Sequence, residues 1–74
     1  MAKSTSDLVM LADHGINLVV DASVKSVNDL TEIINAAGPK GAKVKVVNCN
    51  KKSCADLARA AADFPGSVTL DFSE

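Results

Sequence analysis

The string Ser-x-x-Asp-Leu occurs three times in this chain of 74 residues, at positions 4–8, 26–30 and 53–57. Each copy leads into an apolar-periodic stretch, then a glycine (Gly15, Gly38, Gly66), then a short run of strand-forming residues. The Ser-to-Gly intervals are 11, 12 and 13 positions, so the chain reads as one helix-then-strand unit written three times. A unit of that size gains a core only by stacking on its neighbours, which predicts a small repeat architecture.

Within each copy the serine suits an N-cap, because its hydroxyl can accept from the backbone N–H two or three residues on. The aspartate three positions later falls where a capping box carries its acid, and it complements the positive end of the helix dipole. The caps are therefore Ser4 with Asp7, Ser26 with Asp29, and Ser53 with Asp56. The buried stripes follow as Leu8, Leu11 and Ala12; Leu30, Ile33, Ile34 and Ala37; and Cys54, Leu57, Ala61 and Phe64. Their i, i+3, i+4, i+7 spacing is that of one helix face. Gly15, Gly38 and Gly66 stand where a left-handed residue ends a helix, with Pro39 and Pro65 reinforcing two of the stops.

The strand runs are 16–22, 43–49 and 68–72. Ile16, Leu18, Val20 and Ala22 share one face of the first, against Asn17, Val19, Asp21 and Ser23. In the last, Val68, Leu70 and Phe72 oppose Thr69, Asp71 and Ser73. Strict alternation describes a strand covered on one side and wet on the other. Strands joined through helices run parallel, and a parallel sheet with helices on both faces would read as near-continuous apolar runs. The surviving polar face predicts that all three helices pack on one side. The fold class is thus α/β, one domain over residues 1–74, in the order α-β-α-β-α-β, with a three-stranded parallel sheet.

Aligning the copies makes Asp21, Asn48 and Asp71 equivalent, with Ser23, Asn50 and Ser73 two residues further on. On neighbouring strands these six form two polar rows on the open face near the strand C-terminal ends, where ligands of open α/β sheets tend to sit. They are the candidate interaction surface. Oxygen ligands from Asp21, Asn48 and Asp71 could also converge on a hard cation, but a hydrated polar row is the simpler account.

Other candidates have ordinary explanations. Ser26 and Ser53 could accept phosphate, yet capping already explains the shared position. His14, the only histidine, sits beside Asp13 near a helix end with no Ser or Cys at catalytic spacing. The stretch 38–41 (Gly-Pro-Lys-Gly) follows a helix rather than a strand and lacks the rest of a phosphate-binding loop, so it reads as a connection. Lys40, Lys43, Lys45, Lys51 and Lys52 concentrate positive charge in the middle copy, as a solvated face or as protection of an edge strand. Cys49 and Cys54 offer two zinc ligands where four are wanted. Their spacing is compatible with a disulfide, but both read as small buried thiols.

Composition narrows the classes further. Apolar residues make up 47 %, nearly all aliphatic, with Phe64 and Phe72 the only aromatics. A net charge of −1 gives no electrostatic reason to expect nucleic acid. No apolar run approaches the roughly 20 residues that span a bilayer, and the first residues lack the apolar stretch of a secretory signal. The expectations are a cytoplasmic, non-enzymatic protein without cofactor, partnered by another protein or by its own copies. A three-stranded stack with open edges is thin for a free monomer.

The segments Val-Lys-Val-Val-Asn-Cys-Asn (44–50), Ala-Asp-Leu-Ala-Arg-Ala-Ala-Ala (55–62) and Val-Thr-Leu-Asp-Phe-Ser (68–73) resemble leucine-rich repeats of the ribonuclease-inhibitor type. Val stands for most of the Leu, and the Ser-to-Ser repeats are 22 and 27 residues. That resemblance implies a half-solenoid that binds protein through its strand face, with no catalytic residues. A second resemblance, carried by residues 18–23 and 41–48, is to the strand–helix–strand core of STAS domains. It implies a regulatory domain switched by phosphorylation at Ser26, although the family's Asp-Ser-Ser-Gly motif is absent here.

Overall fold

The three Ser-x-x-Asp segments each open a helix in the computed structural model, which describes residues 4–73. Helix α1 spans Thr5–Asp13, α2 Val27–Ala37 and α3 Cys54–Ala60. The Oγ of Ser4, Ser26 and Ser53 accepts from the N–H of Asp7, Asp29 and Asp56 at 3.2, 3.1 and 3.1 Å. At Ser26 the reciprocal bond is also made, the Ser26 N–H donating to Asp29. A cap of this kind contributes about 1 kcal/mol, which matters for helices of two or three turns that are marginal alone.

Strands β1 (Leu18–Asp21), β2 (Val44–Val47) and β3 (Val68–Leu70) alternate with the helices and form one parallel sheet in the order β1-β2-β3. Each is shorter than its apolar run, because the neighbouring residues belong to turns or to short 3-10 helices (Gly38–Lys40, Cys49–Lys51, Pro65–Ser67). Val20, Val44 and Val46 point into the core and are buried, whereas Val19, Lys45 and Thr69 point the other way and are exposed. The helices therefore cover one face only. Helix α2 lies between the other two and buries the full expected stripe, Leu30, Ile33, Ile34 and Ala37. No helix among the described residues is long and apolar enough to cross a membrane.

Several expectations need correction. Of the three stop glycines only Gly15 is left-handed, at φ +80°; Gly38 and Gly66 lie in 3-10 segments, and Gly41 (φ +73°) makes the second left-handed turn. Helix α3 stops at Ala60, so Ala60 rather than Ala61 is fully buried, and Phe64 packs in from the turn beyond. Cys54 is exposed, because the first position of α3 faces outward; Cys49 is buried, and both thiols are free. Lys43 and Lys45 belong to the central strand region and not to an edge, so edge protection does not explain them. Lys43 instead reaches the Gly66 carbonyl at 2.9 Å, and Lys45 lies 3.9 Å from Asp71.

Gly38 is a glycine for a packing reason rather than a conformational one. A Cβ at this position would lie 2.2 Å from the Phe64 ring. Gly38→Ala is expected to destabilise the fold by about 1–3 kcal/mol through overpacking. In a Phe64→Ala background the same change becomes neutral or slightly stabilising, since Ala is preferred over Gly in helical backbone. Chemical denaturation of the four variants measures this coupling; equal effects of Gly38→Ala in both backgrounds would show that the ring is not the constraint.

Candidate functional site

The polar residues singled out in the sequence gather at one end of the sheet, but in an arrangement that differs from the alignment. Leu18 pairs with Val44 and Asp21 with Val47, and Val46 pairs with Leu70. The row at the strand ends is therefore Asp21, Val47, Asp71, and Asn48 falls one residue beyond it. Asn48 is the sole described non-glycine residue with positive φ (57°), a conformation Asn tolerates better than most. A regular parallel ladder would have the Asn48 N–H donate to the Asp71 carbonyl; instead the Cys49 N–H does so, at 3.2 Å. Asn48 is thus an extra residue, a bulge in the central strand. It brings Cys49 back inward, where its thiol donates to the Val46 carbonyl at 3.1 Å.

The outer strands end in the same way as each other. Asp21 Oδ1 accepts from the Ser23 N–H at 2.8 Å and from its hydroxyl at 2.6 Å. Asp71 Oδ1 accepts from the Ser73 N–H at 2.8 Å and from the Ser73 hydroxyl as well. These are Asx turns, in which a short acidic side chain folds back on the backbone two residues ahead. Ser23 and Ser73 are consequently partners of the aspartates and not members of a second row. Asn50 lies in the 3-10 turn after Asn48, and its Nδ2 donates to the Phe72 carbonyl at 2.6 Å, tying the end of β3 to β2.

These contacts set the electrostatics. The Ser23 hydroxyl, then the Asn48 side chain and the Ser23 N–H, hold the Asp21 carboxyl below its ordinary range. The Ser73 hydroxyl and N–H do the same for Asp71, with a smaller contribution from Lys45. Burial pushes the Cys49 thiol up, which makes it a poor nucleophile.

The geometry argues against a cation at Asp21, Asn48 and Asp71. The two aspartates are separated by a whole strand, about 10 Å at the usual strand spacing, and Val47 between them supplies no ligand. Among the described residues no group of three or more His, Cys, Asp or Glu is placed to hold a metal ion. A cleft of about 130 Å³ lies between Asn48, Asn50, Lys51 and Ser73. That is well short of the roughly 300 Å³ at which small-molecule sites begin. His14 is exposed at the C-cap of α1.

What the sequence reasoning missed is apolar. Val19 is 68 % exposed in the middle of an edge strand, and Phe72, just past β3, is 45 % exposed. The alternation in both strands carried the signal for Val19, which shares the polar face. Phe72 shares the core face, and only its place at the end of the stack uncovers it. No known protein family, no curated protein and no solved structure matches this chain.

Two outcomes are expected at this site. In an NMR titration, Asp21 and Asp71 should titrate below the ordinary aspartate value of about 3.9, and Ser73→Ala should bring Asp71 back up. A carboxyl depressed on folding adds stability above its unfolded value and loses it as pH falls through the folded one. The two turns therefore loosen only on the acid side of pH ~4, and an ordinary midpoint for Asp71 in the parent protein would contradict the turn. Separately, Cys54 should react at once with a thiol reagent and Cys49 only after unfolding; equal rates in the native protein would contradict the placement of Cys49.

Proposed function

We propose that the chain is a non-enzymatic protein-interaction module that presents its uncovered sheet face and a strand edge to a protein partner. The observation that carries this is the bare face itself. Val19, Lys45 and Thr69 stand side by side across the three strands with no helix over them, and Val19 exposes 68 % of its surface. A large exposed aliphatic residue in an edge strand is a ready-made docking feature. Of the outward backbone groups of β1, the Asp21 carbonyl is taken by the Val24 N–H at 3.3 Å. The leucine-rich-repeat resemblance implies a partner at the same place. Lys45 beside Asp71, with Asp21 beyond Val47, gives the face a mixed charge pattern that suits a protein better than a polyanion.

The switch at Ser26 implied by the second resemblance gains no support from the geometry, since its hydroxyl already caps α2. Asp21, Asn48 and Asp71, with Ser23, Asn50 and Ser73, frame the end of the face and keep the strand ends rigid.

Photo-crosslinking in the host cell tests the proposal. A photoreactive residue at Lys45 or Thr69 should trap protein adducts, whereas the same residue at Glu32 or Asn35 on the exposed side of α2 should not. Adducts confined to the helix positions would place the interaction on the opposite side and end this reading.

A further inference from the structure

We infer that the outer edge of β3 is a two-fold interface, at which a second copy of this chain pairs antiparallel about Leu70. This rests on the interaction-module reading and names its partner. The first observation is that, toward the C-terminal ends of the strands, the core is less covered on the β3 side than on the β1 side. At the other ends the sides are alike: Leu18 and Val68 are both part-buried in the Val44 row, and Ile16 is exposed before β1. Across the core-facing row Val20, Val46 and Leu70, the first two are 3 % and 1 % exposed, whereas Leu70 is only half-buried. In the next row Ala22 and Cys49 are fully buried, but Phe72 is 45 % exposed. Helix α1 makes a small contact with β1, and nothing among the described residues shields the outer flank of β3. Val68, Leu70 and Phe72 thus form an apolar strip that is covered from the β2 side alone.

The backbone of this edge is self-complementary. Asp71 directs its N–H and C=O at β2, to the Val46 carbonyl at 2.8 Å and from the Cys49 N–H at 3.2 Å. By strand alternation Val68 and Leu70 direct theirs outward. Just past β3 the Phe72 N–H does too, because it opposes the Asp71 carbonyl across the same trans peptide. The Val68 N–H already donates to Pro65, and the Phe72 carbonyl already accepts from Asn50. The Val68 carbonyl, both Leu70 groups and the Phe72 N–H remain. An antiparallel two-fold about Leu70 uses this remainder: Leu70 exchanges bonds with its own copy, and the Phe72 N–H donates to the partner's Val68 carbonyl.

Side chains agree on both faces. On the core side, Val68 meets the second copy's Phe72 and Leu70 meets Leu70, which buries the strip. On the open side, Thr69 stands opposite Asp71 of the second copy. Asp71 has Oδ1 engaged by Ser73, and Oδ2, which lies 3.9 Å from Lys45 Nζ, still has a lone pair to accept from the Thr69 hydroxyl. The competing arrangement, β3 against β1 of the next copy in a continuing stack, would set Asp71 directly beside Asp21. Both carboxyls are held ionised by their turns, and like charges directly opposite repel. A two-fold contact closes on itself and yields a dimer rather than a fibre.

Sedimentation equilibrium from micromolar to millimolar concentration, with isotope-filtered NOEs, tests this. The parent should form a dimer, with contacts between labelled and unlabelled copies at Leu70–Leu70 and Phe72–Val68. Thr69→Asp should weaken the dimer about tenfold by facing Asp71 of the second copy twice. Within one copy the new acid neighbours Lys45 across the ladder as well as Asp71 on its own strand. A monomer amide spectrum matching the parent's separates loss of the dimer from loss of the fold. Thr69→Asp with Asp71→Asn should restore the dimer. A parent that stays monomeric at millimolar concentration overturns the inference, and so does a dimer indifferent to Thr69→Asp. Open-ended oligomers enhanced by Asp71→Asn alone would favour the continuing stack and overturn it too. Intramolecular NOEs covering Leu70 that persist on dilution would assign the strip to this chain's own residues, with the same result. In each of these cases crosslinks from Lys45 would still decide the interaction-module reading separately.

Discussion

The burial of α2 against the middle strand is the contact on which the rest of the structure depends. Leu30, Ile33, Ile34 and Ala37 meet Val44 and Val46, and all six residues are withdrawn from water. At roughly 25 cal/mol per Å² of apolar surface, burying this aliphatic set is a main driving force for a chain this small. Helices α1 and α3 then have only the two flanks of α2 to occupy, and β1 and β3 only the two edges of β2. With every helix drawn to the same side, the opposite sheet face has nothing left in the described chain to cover it. Function is proposed on that face because the core is built on the other.

The bulge at Asn48 shows how one residue couples packing to surface. The middle strand carries a residue more than its neighbours need, and the left-handed turn absorbs it. As a result Cys49 returns to the core beneath the strand ends, and Asn48 swings toward Asp21. Asn50 is carried to the end of β3, where it holds the Phe72 carbonyl. The polar residues at the strand ends are thereby committed to the backbone: the aspartates to Asx turns, the asparagines to neighbouring strands. That commitment makes them a rigid rim, and it also removes the convergence of free carboxylates that cation binding or acid–base chemistry would require.

Among the described residues the two edges of the sheet have different neighbours. Helix α1 precedes β1 and packs mainly on α2, with a smaller contact to β1 that leaves Ile16 exposed and Leu18 part-buried. On the β3 side the last helix lies between β2 and β3, and beyond β3 the apolar strip faces outward. Repeat proteins need a cap at each terminus. In the proposed pairing a second copy supplies one with the groups that the edge leaves unpaired, while the opposed aspartates resist the alternative of endless growth.

Much of this was legible in the amino-acid order. The Ser-x-x-Asp caps, the stripe of α2 and the alternation of the outer strands are local patterns whose cause lies within a few residues, so they survive in any fold that uses them. One-sided helix cover could be read for the same reason, from the polar faces of β1 and β3. The rest depends on relations between distant segments. An extra residue in β2 is invisible until β1 and β3 fix the register on either side of it. Gly38 looks like a stop signal until the Phe64 ring, 26 positions away, arrives against it. Cys54 fits an apolar stripe until the pitch of a short α3 turns its first position outward. Local periodicity thus determined which elements form and which faces they bury. Only the tertiary structure decided the register, the bulge and the unequal ends, because each is a distance between residues that the chain brings together and does not place in succession.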